Sequence, residues 1–191
     1  MSPQPSNRAN LIEGTLRCLD KVPPEQITAR MIAAESRANL ASITYHFESK
    51  DNLLTEAVIE GLDRWLDEVG ARLSELSAVE PADRYRVAGE AIETTRERHT
   101  HLAHLFFGAV AKAQHDQRVR DLLATGFART RPNVAALLGL GADQAGEDAA
   151  GLVLSLFYGL LLQTLLDPAL AIEGGRRNRA HARLRTLLPE R

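Results

Sequence analysis

Residues 43–54 read ITYHFESKDNLL, and this stretch decides how the rest of the chain is interpreted. Ile43 and Phe47 are about one helical turn apart, so the first part of the stretch reads as a short helix with one apolar face. Ser49 is a good N-cap, and the two leucines at the end of the stretch begin a new apolar stripe. The stretch therefore predicts a short helix followed, across a tight break, by a capped long helix.

A second short helix is predicted just before this stretch. Thr28 is a plausible N-cap for a helix that carries Ile32 on its apolar side. A break follows at residues 36–38, and Asn39 can cap the next helix, which spans residues 40–47. Short helix, three-residue turn and second short helix form the arrangement of a helix-turn-helix.

The second helix of this motif has the properties of a recognition helix. Its exposed positions are small or hydrogen-bonding: Ala41, Ser42, Thr44, Tyr45 and His46. A helix with such a face fits the major groove of DNA. Lys50, with the free amides at the start of the long helix, is suited to a phosphate oxygen.

The whole chain reads as all-α, with about nine helices. Apolar residues recur at helical spacing throughout, and no segment alternates as a half-buried strand does. Pro23-Pro24 ends the first helix, and Pro132 should kink or split a later one. The remaining helices are predicted at residues 8–21, 49–76, 81–98, 100–115, 117–138, 145–166 and 173–188.

The residues around the motif resemble the DNA-binding signature of TetR-family transcriptional regulators. The resemblance rests on Ile32-Ala33 and on the string Tyr-His-Phe-x-Ser-Lys-x-x-Leu-Leu at residues 45–54. It implies a three-helix DNA-binding domain at residues 1–50, followed by a larger domain at residues 51–191. The larger domain of the family usually binds a small-molecule inducer and dimerises through its last two long helices. The chain is therefore expected to be a repressor that binds a palindromic, double-stranded operator as a homodimer and is released by its inducer.

Carried over by position, the resemblance assigns DNA contacts to particular residues. The recognition-helix and helix-end positions are Leu40, Ala41, Ser42, Thr44, Tyr45, His46, Thr28 and Lys50, and Phe47 is the core residue that holds the recognition helix down. Arg37 stands where the family has a turn glycine, and Asn39 replaces a usual Ser or Thr cap. A positive φ at Arg37 would cost about 1–2 kcal/mol, although its side chain could recover binding through a phosphate. Ala41 and Thr44 also depart from the family pattern, which puts the DNA sequence preference in doubt.

Composition sets limits on the class of protein. The 191 residues are 45% apolar, which excludes wholesale disorder, and the single cysteine excludes an intramolecular disulfide framework. The net charge of −2 argues against a protein that coats nucleic acid through bulk positive charge. The charge is unevenly divided, because residues 1–50 carry +1, residues 51–172 carry −7 and the remaining residues carry +4. The acidic middle section is thus the part expected to lie away from DNA.

The middle section holds most of the aromatic area and is the candidate ligand site. Its aromatic residues are Trp65, Phe106, Phe107, Phe127, Phe157 and Tyr158. A bundle cavity with this lining, and with Tyr158 or Gln163 as a polar group, would suit a largely apolar ligand. Ordinary core packing is the alternative for each of these residues. No cofactor is expected.

Residues 149–166 form an uncharged apolar run long enough to raise the question of a membrane span. Asp148 and Asp167 border the run, and no second such segment exists, so a core or dimer-interface helix is the preferred interpretation. Residues 152–166 and 184–188 are the expected dimer seam, and the Arg-rich last helix could either pair across the dimer or be solvated. The polar start of the chain lacks the pattern of a signal peptide, so a cytoplasmic, soluble protein is expected.

Two other functions remain open at this point. His99, His101 and His104 cluster near a helix start and could make a helical bundle that carries a metal or acts as an enzyme, although no cysteine accompanies them. A TetR-fold interaction protein that no longer binds operator DNA is the second alternative, raised by Arg37 and Thr44. No catalytic motif is present, so the chain is not expected to be an enzyme.

Overall fold

The computed structural model describes residues 7–75 and 80–186, and every regular element within them is helical. The prediction of an all-α fold is confirmed. The α-helices of the described residues are α1 (Asn7–Leu19), α2 (Ala29–Glu35), α3 (Ala41–Phe47), α4 (Lys50–Ser74), α5 (Pro81–Thr95), α6 (Thr100–Lys112), α7 (Gln117–Leu138), α8 (Gln144–Leu166) and α9 (Gly174–Arg185). Short 3-10 turns lie at residues 24–26, 96–99 and 168–170. Of the residues predicted to be helical, 76 and 187–188 lie outside the described part of the chain.

Polar side chains fix the ends of the N-terminal helices as the sequence predicts. The hydroxyl oxygen accepts from the amide three residues further on, at 3.2 Å for Thr28 and 3.1 Å for Ser49. The Asn39 side-chain oxygen accepts from the amide two residues further on, at 3.0 Å. Each cap satisfies a backbone donor that the first helical turn leaves free, which sets where α2, α3 and α4 begin.

Helix α1 crosses closely over the C-terminal end of α2 at Gly14. A Cβ atom at this position would overlap the Ser36 hydroxyl and would lie 2.9 Å from the Ser36 backbone nitrogen. Ser36 is buried and donates to the Ile32 carbonyl at 2.6 Å, so it cannot easily move aside. The absence of a side chain at Gly14 therefore allows α1 to rest directly on the turn of the helix-turn-helix.

The long helix α4 joins two hydrophobic cores. One core packs the N-terminal helices against α6 and the start of α7, and includes Leu11, Ile32, Ile43, Phe47, Leu53, Val58, Leu102 and Val119. The other packs the far half of α4 against the remaining bundle, and includes Trp65, Val69, Leu73, Val134, Leu138, Ala150 and Leu154. A shift of α4 along its axis would therefore disturb both cores.

Helix α7 runs without interruption through Pro132, so the predicted split does not occur. Proline removes one backbone donor and leaves the carbonyl four residues earlier without its helical partner. That carbonyl belongs to Ala128, which is exposed and can be solvated. Val134 and Leu138 are buried just beyond the proline, and their packing holds the helix together.

Candidate DNA-binding surface and ligand cavity

Helix α3 has a buried anchor face and an exposed outer face. Ile43 and Phe47 are buried, whereas the Tyr45 side chain is 84% exposed. The predicted contact positions Leu40, Ala41, Thr44 and Tyr45 are all exposed, and Ser42 and His46 are half-buried beside them. The Tyr45 ring meets the His46 imidazole edge-on, with centroids 4.8 Å apart. The structure thus brings the predicted recognition residues onto one surface.

The turn between α2 and α3 has the strain that the sequence implied. Arg37 has a φ of +52°, in the left-handed region that favours glycine. The neighbouring amide of Ala38 donates to the Ala33 carbonyl at 3.0 Å, which fixes the turn in this conformation. The Arg37 side chain is exposed. The strained backbone at this position therefore carries a cation that faces outward.

We expect Arg37→Gly to raise the free energy of unfolding by about 0.5–1 kcal/mol. Relief of the left-handed strain exceeds the entropy that glycine adds to the unfolded chain. Thermal unfolding followed by circular dichroism should show a midpoint about 2 °C higher. Ala38→Gly is the matched control, since residue 38 does not have a positive φ, and it should lower the midpoint. An unchanged or lower midpoint for Arg37→Gly would contradict the strain assigned to this turn.

Lys50 links the two ends of the helix-turn-helix. Its ammonium group donates to the Ile27 carbonyl at 2.9 Å, just before the start of α2. An ammonium group has three donors, so this contact leaves others that can reach a phosphate. Thr28 is exposed next to Ile27. The predicted phosphate-contacting residues Thr28 and Lys50 therefore lie at one corner of the domain.

Asn52 supports the C-terminal end of α3 and was not predicted from the sequence. It is buried, and its side-chain nitrogen donates to the Phe47 carbonyl at 2.9 Å, at the C-terminal end of α3. The backbone between them turns at Glu48, which has a φ of +65°. The Asn52 amide thus satisfies a carbonyl at the helix end that the sharp turn would leave unpaired.

Two ion pairs join this turn to the larger domain. Arg118, in the first turn of α7, pairs with Glu48. Lys112, at the end of α6, donates to Asp51 at 2.8 Å. The sequence gives no sign of either pair, because 70 and 61 residues separate the partners. These contacts connect the C-terminal end of α3 and the start of α4 to the rest of the bundle.

A cavity that opens to solvent lies between α4, α5, α6, α7 and α8. Its aromatic lining consists of Trp65, Phe106, Phe127, Phe157 and Tyr158. The structure thus brings together five of the seven residues predicted for the ligand site. Phe107 lies behind this wall, with its ring edge-on to Phe106 at 5.2 Å. Gln163 is exposed and does not line the cavity.

Polar groups in the cavity lie on α4, α7 and α8. Asp63 pairs with Arg129, and Thr130 lies 3.5 Å from its carboxylate. Burial raises the pKa of Asp63 in spite of the Arg129 charge. Burial, together with the nearby Asp63 charge, raises the pKa of Tyr158 to about 12. The phenol is therefore a neutral hydrogen-bonding group near an otherwise apolar wall.

Asp63 and Thr130 were missed by the sequence analysis. Asp63 lies four residues after Ile59 and three before Leu66, and all three line the cavity. The polar residue on this face of α4 was overlooked because the leucines along the helix give the stronger periodic pattern. A closer count of positions at i, i+4 and i+7 along α4 could have found it.

The three clustered histidines have separate partners. The His99 ring packs on Trp65 with centroids 4.7 Å apart, and its Nε2 lies 3.3 Å from Glu68. His101 Nδ1 lies 2.8 Å from the Leu19 carbonyl, and His104 is exposed. Across residues 7–75 and 80–186, no group of three or more His, Cys, Asp or Glu is arranged to hold a metal ion.

Helix α8 presents an apolar face to the outside of the protomer. Within the described ranges it is the one helix long and apolar enough to cross a membrane, yet only 17% of its most apolar 18-residue window is buried. Its exposed leucines include Leu152 at 71% and Leu166 at 75% exposure. Residues 152, 156, 159, 163 and 166 alternate four- and three-residue steps, the spacing of a helix-packing seam. A Cβ at Gly159 would have open space around it, so a neighbouring helix could approach closely here.

A three-helix helix-turn-helix domain carried on a helical bundle is the architecture of a transcriptional regulator. Residues 11–57 match the family described as bacterial regulatory proteins, tetR family, and residues 81–190 match the BetI-type transcriptional repressor C-terminal domain. The chain belongs to the TetR family of transcriptional regulators. The resemblance stated from the sequence is confirmed.

Solved structures share this fold. The multidrug binding protein EbrR, complexed with imidazole, is 26% identical over 98% of each chain, with a TM-score of 0.64. A transcriptional regulator from Rhodococcus sp. Rha1 is 23% identical over 87% of each chain, with a TM-score of 0.58. A transcriptional regulator from Saccharomonospora viridis, in complex with choline, is 21% identical over 86% of this chain and 88% of that one, with a TM-score of 0.58. A comparison with curated protein sequences finds no match.

Proposed function

We propose that this regulator is a repressor that binds a palindromic operator as a homodimer and is released by a small molecule bound in the C-terminal bundle. The observation that carries the proposal is the division of α3 into a buried anchor and an outer face with a strongly exposed tyrosine. The Tyr45 ring is 84% exposed and contacts only the neighbouring His46 ring among the aromatic residues, so it contributes little to the fold of the protomer. On a recognition helix it supplies a contact to bases or backbone in the major groove.

Dimerisation through α8 and α9 accounts for the exposed leucines. Two copies of the α8 face would bury the seam at residues 152–166 without membrane insertion. A two-fold dimer would present its recognition helices to successive major grooves, about 34–36 Å apart. The protein would then work as a soluble, cytoplasmic dimer, as other two-fold helix-turn-helix regulators do.

The cavity beside α4 is the proposed inducer site. Its lining suits a largely apolar molecule, with the Tyr158 hydroxyl and Asp63 as polar partners. The neighbours that hold imidazole and choline support a ligand role for this kind of bundle. Because α4 lines the cavity and begins at the DNA-binding domain, a ligand that prefers a shifted α4 would change the spacing of the recognition helices. Its effect is limited by its differential affinity for the two states.

Selection of binding sites from a random pool of duplex DNA tests the proposal. We expect enrichment of a palindrome whose half-site centres are one helical turn apart. The affinity for that site should fall only modestly with salt, because residues 1–50 carry a net charge of +1 and few phosphates are contacted per subunit. If no palindrome is enriched at low salt, the protein does not act through an operator.

Tyr45→Ala is expected to weaken operator binding by about 10- to 100-fold. The dimer loses one contact in each half-site, so this range corresponds to about 0.7–1.4 kcal/mol per contact, the low end of the value of a good contact to a base. The thermal midpoint should not change, since the side chain makes little contact with the protein. Electrophoretic mobility shift on the selected operator measures the effect, and Tyr45→Phe separates the hydroxyl from the ring. Equal operator affinities for wild type and Tyr45→Ala would show that Tyr45 does not contact DNA.

A further inference from the structure

The two buried side chains of α3 fix its distance from the core more firmly than its rotation. Ile43 and Phe47 are about one helical turn apart, so both lie on a single stripe of the helix. Apolar packing is not directional, and along one stripe it resists lifting of the helix more than rocking about that stripe. With seven residues, α3 is also too short to be stable by itself. A directional contact is needed to set the angle at which its outer face is presented.

Asn52 of α4 supplies such a contact. Its side-chain nitrogen donates to the Phe47 carbonyl at 2.9 Å. A carbonyl oxygen can only accept, so the nitrogen of the Asn52 amide, and not its oxygen, must face Phe47. The hydrogen bond is directional, and it joins the last residue of α3 to the first turn of α4. It spans the sharp turn at Glu48, which connects the two helices.

The position of Asn52 is itself fixed by its surroundings. The residue is buried, and its backbone amide donates to the hydroxyl of the N-cap Ser49 at 3.1 Å. Leu53 and Leu54, which follow it, are buried in the core of the N-terminal helices. All of them belong to the first turns of one helix of 25 residues. The Asn52 amide therefore moves only when the start of α4 moves, and the end of α3 follows it.

Water does not reach this hydrogen bond in the folded domain. Phe47 has no exposed surface, so its carbonyl lies away from solvent. A buried acceptor that loses its donor is strongly unfavourable, because neither protein nor water satisfies it. Without the Asn52 amide, the end of α3 is expected to shift until its carbonyl finds another donor. The orientation of α3 would change while its apolar anchors remain in place.

Contacts to bases depend on this orientation more than contacts to phosphates do. A side chain that reads a base edge must be placed to within about 0.5 Å and 10–20°. Phosphate contacts position a protein on the duplex and carry no sequence information. The predicted phosphate contacts here come from the helix ends at Thr28 and Lys50. A rotated α3 would therefore bind a specific sequence more weakly and still bind DNA of any sequence.

We propose that Asn52 is a positioning residue that determines DNA sequence specificity through α3, without touching DNA. Its hydrogen bond to the Phe47 carbonyl holds the outer face of α3, including Tyr45, at the angle at which bases are read. The inference rests on the proposed operator binding. It adds to that function a buried residue that lies outside the helix expected to enter the major groove.

A comparison of Asn52→Ala with Thr55→Ala in the full chain tests the proposal. Thr55 is also a buried polar residue of α4, but its hydroxyl donates to the Asp51 carbonyl of its own helix, at 2.9 Å. It is therefore a matched control for the loss of a buried polar group from α4. Fluorescence anisotropy measures the affinity for the selected operator and for a duplex with the same base composition in scrambled order. The temperature is chosen so that all variants are folded.

We expect Asn52→Ala to bind the operator about tenfold more weakly, from about threefold at each half-site, because each copy of α3 is misplaced. Its affinity for the scrambled duplex should stay within about twofold of the wild type, since the phosphate contacts remain. The ratio of the two affinities should therefore fall in Asn52→Ala and be unchanged in Thr55→Ala. A purely structural role of Asn52 would lower the thermal midpoint without changing this ratio.

Asn52→Asp keeps the experiment interpretable if Asn52→Ala does not fold. Aspartate has nearly the same shape as asparagine and is favoured in the first turn of a helix. Its carboxylate has no hydrogen to donate to the Phe47 carbonyl, so the specificity ratio should fall as in Asn52→Ala. An unchanged ratio in either folded variant, or an equal loss in Thr55→Ala, would overturn the proposal.

Hydrogen exchange of the DNA-free protein separates this result from a failure of the proposed function. The amides of α3 should exchange at least about tenfold faster in Asn52→Ala than in Thr55→Ala, because only the first variant frees the end of α3. If the wild type prefers no duplex, the proposed function fails and Asn52 has no part in recognition, whatever the exchange rates. If the wild type prefers its operator and α3 exchanges equally in both variants, the proposal for Asn52 alone is wrong.

Discussion

Replacing Leu152 and Leu166 together with glutamate is expected to make the protein monomeric and to lower its operator affinity at least about 100-fold. In the proposed dimer both positions are buried at the seam, where an unpaired carboxylate is strongly disfavoured. A monomer holds one half-site only. It loses the effective concentration that lets the second recognition helix bind, which is worth about 10²- to 10⁴-fold. Light scattering coupled to size exclusion measures the mass, and mobility shift measures the affinity.

A matched control separates dimer loss from added negative charge. Ala124 is exposed on α7 and belongs to neither α8 nor α9, and Ala124→Glu should remain dimeric. Helical content of the L152E/L166E variant should stay close to wild type, because both leucines are already largely exposed in the protomer. Its thermal midpoint should fall, because the monomer lacks the stabilisation that dimerisation gives the wild type. If the double variant is still dimeric at micromolar concentration, the dimer interface does not lie on α8.

Phe47→Ala is expected to destabilise the N-terminal domain by about 3–5 kcal/mol, which is the usual cost of removing a buried phenyl ring. Phe47 has no exposed surface and closes the core beneath α3. The Arg8 guanidinium lies over its ring at 5.3 Å. Without the ring, α3 loses its anchor, so operator binding should be lost as well. Hydrogen exchange should show the protection of α1 to α3 reduced, while that of α7 and α8 is retained.

Phe47→Leu distinguishes the loss of volume from the loss of the aromatic ring. It keeps most of the buried apolar area and should cost less than about 1.5 kcal/mol. Operator binding should then survive in Phe47→Leu. If Phe47→Ala unfolds at the same denaturant concentration as the wild type, the ring does not hold the recognition helix.

The parts of the molecule that local chemistry determines could be predicted from the sequence. Thr28 and Ser49 cap the helices that they were expected to cap, because an N-cap bond spans only three residues. The left-handed turn at Arg37 was expected from the resemblance alone, because Arg37 stands where the family has a turn glycine. The recognition face of α3 follows from helical periodicity once Ile43 and Phe47 are known to be buried.

Features that depend on distant partners could not be predicted. The role of Gly14 is visible only when Ser36 lies against it. Arg177 was one of several arginines on a polar helix, and nothing local marks it as the residue that contacts Gly89 and Glu93. Gln163 was wrongly assigned to the cavity. Helix α8 is apolar on most sides, so its sequence does not show which side faces the cavity.

The ion pairs Arg118–Glu48 and Lys112–Asp51 give ionic strength a second role. Both pairs lie largely in solvent, so dissolved salt weakens them as it weakens phosphate contacts. In concentrated salt the N-terminal domain would be held less rigidly on the helical bundle, even in the absence of DNA. In the proposed repressor, the coupling between inducer binding and operator binding would then weaken together with the operator affinity. In a cell under osmotic stress, the proposed repressor would therefore bind its operator with lower affinity and respond less strongly to its inducer.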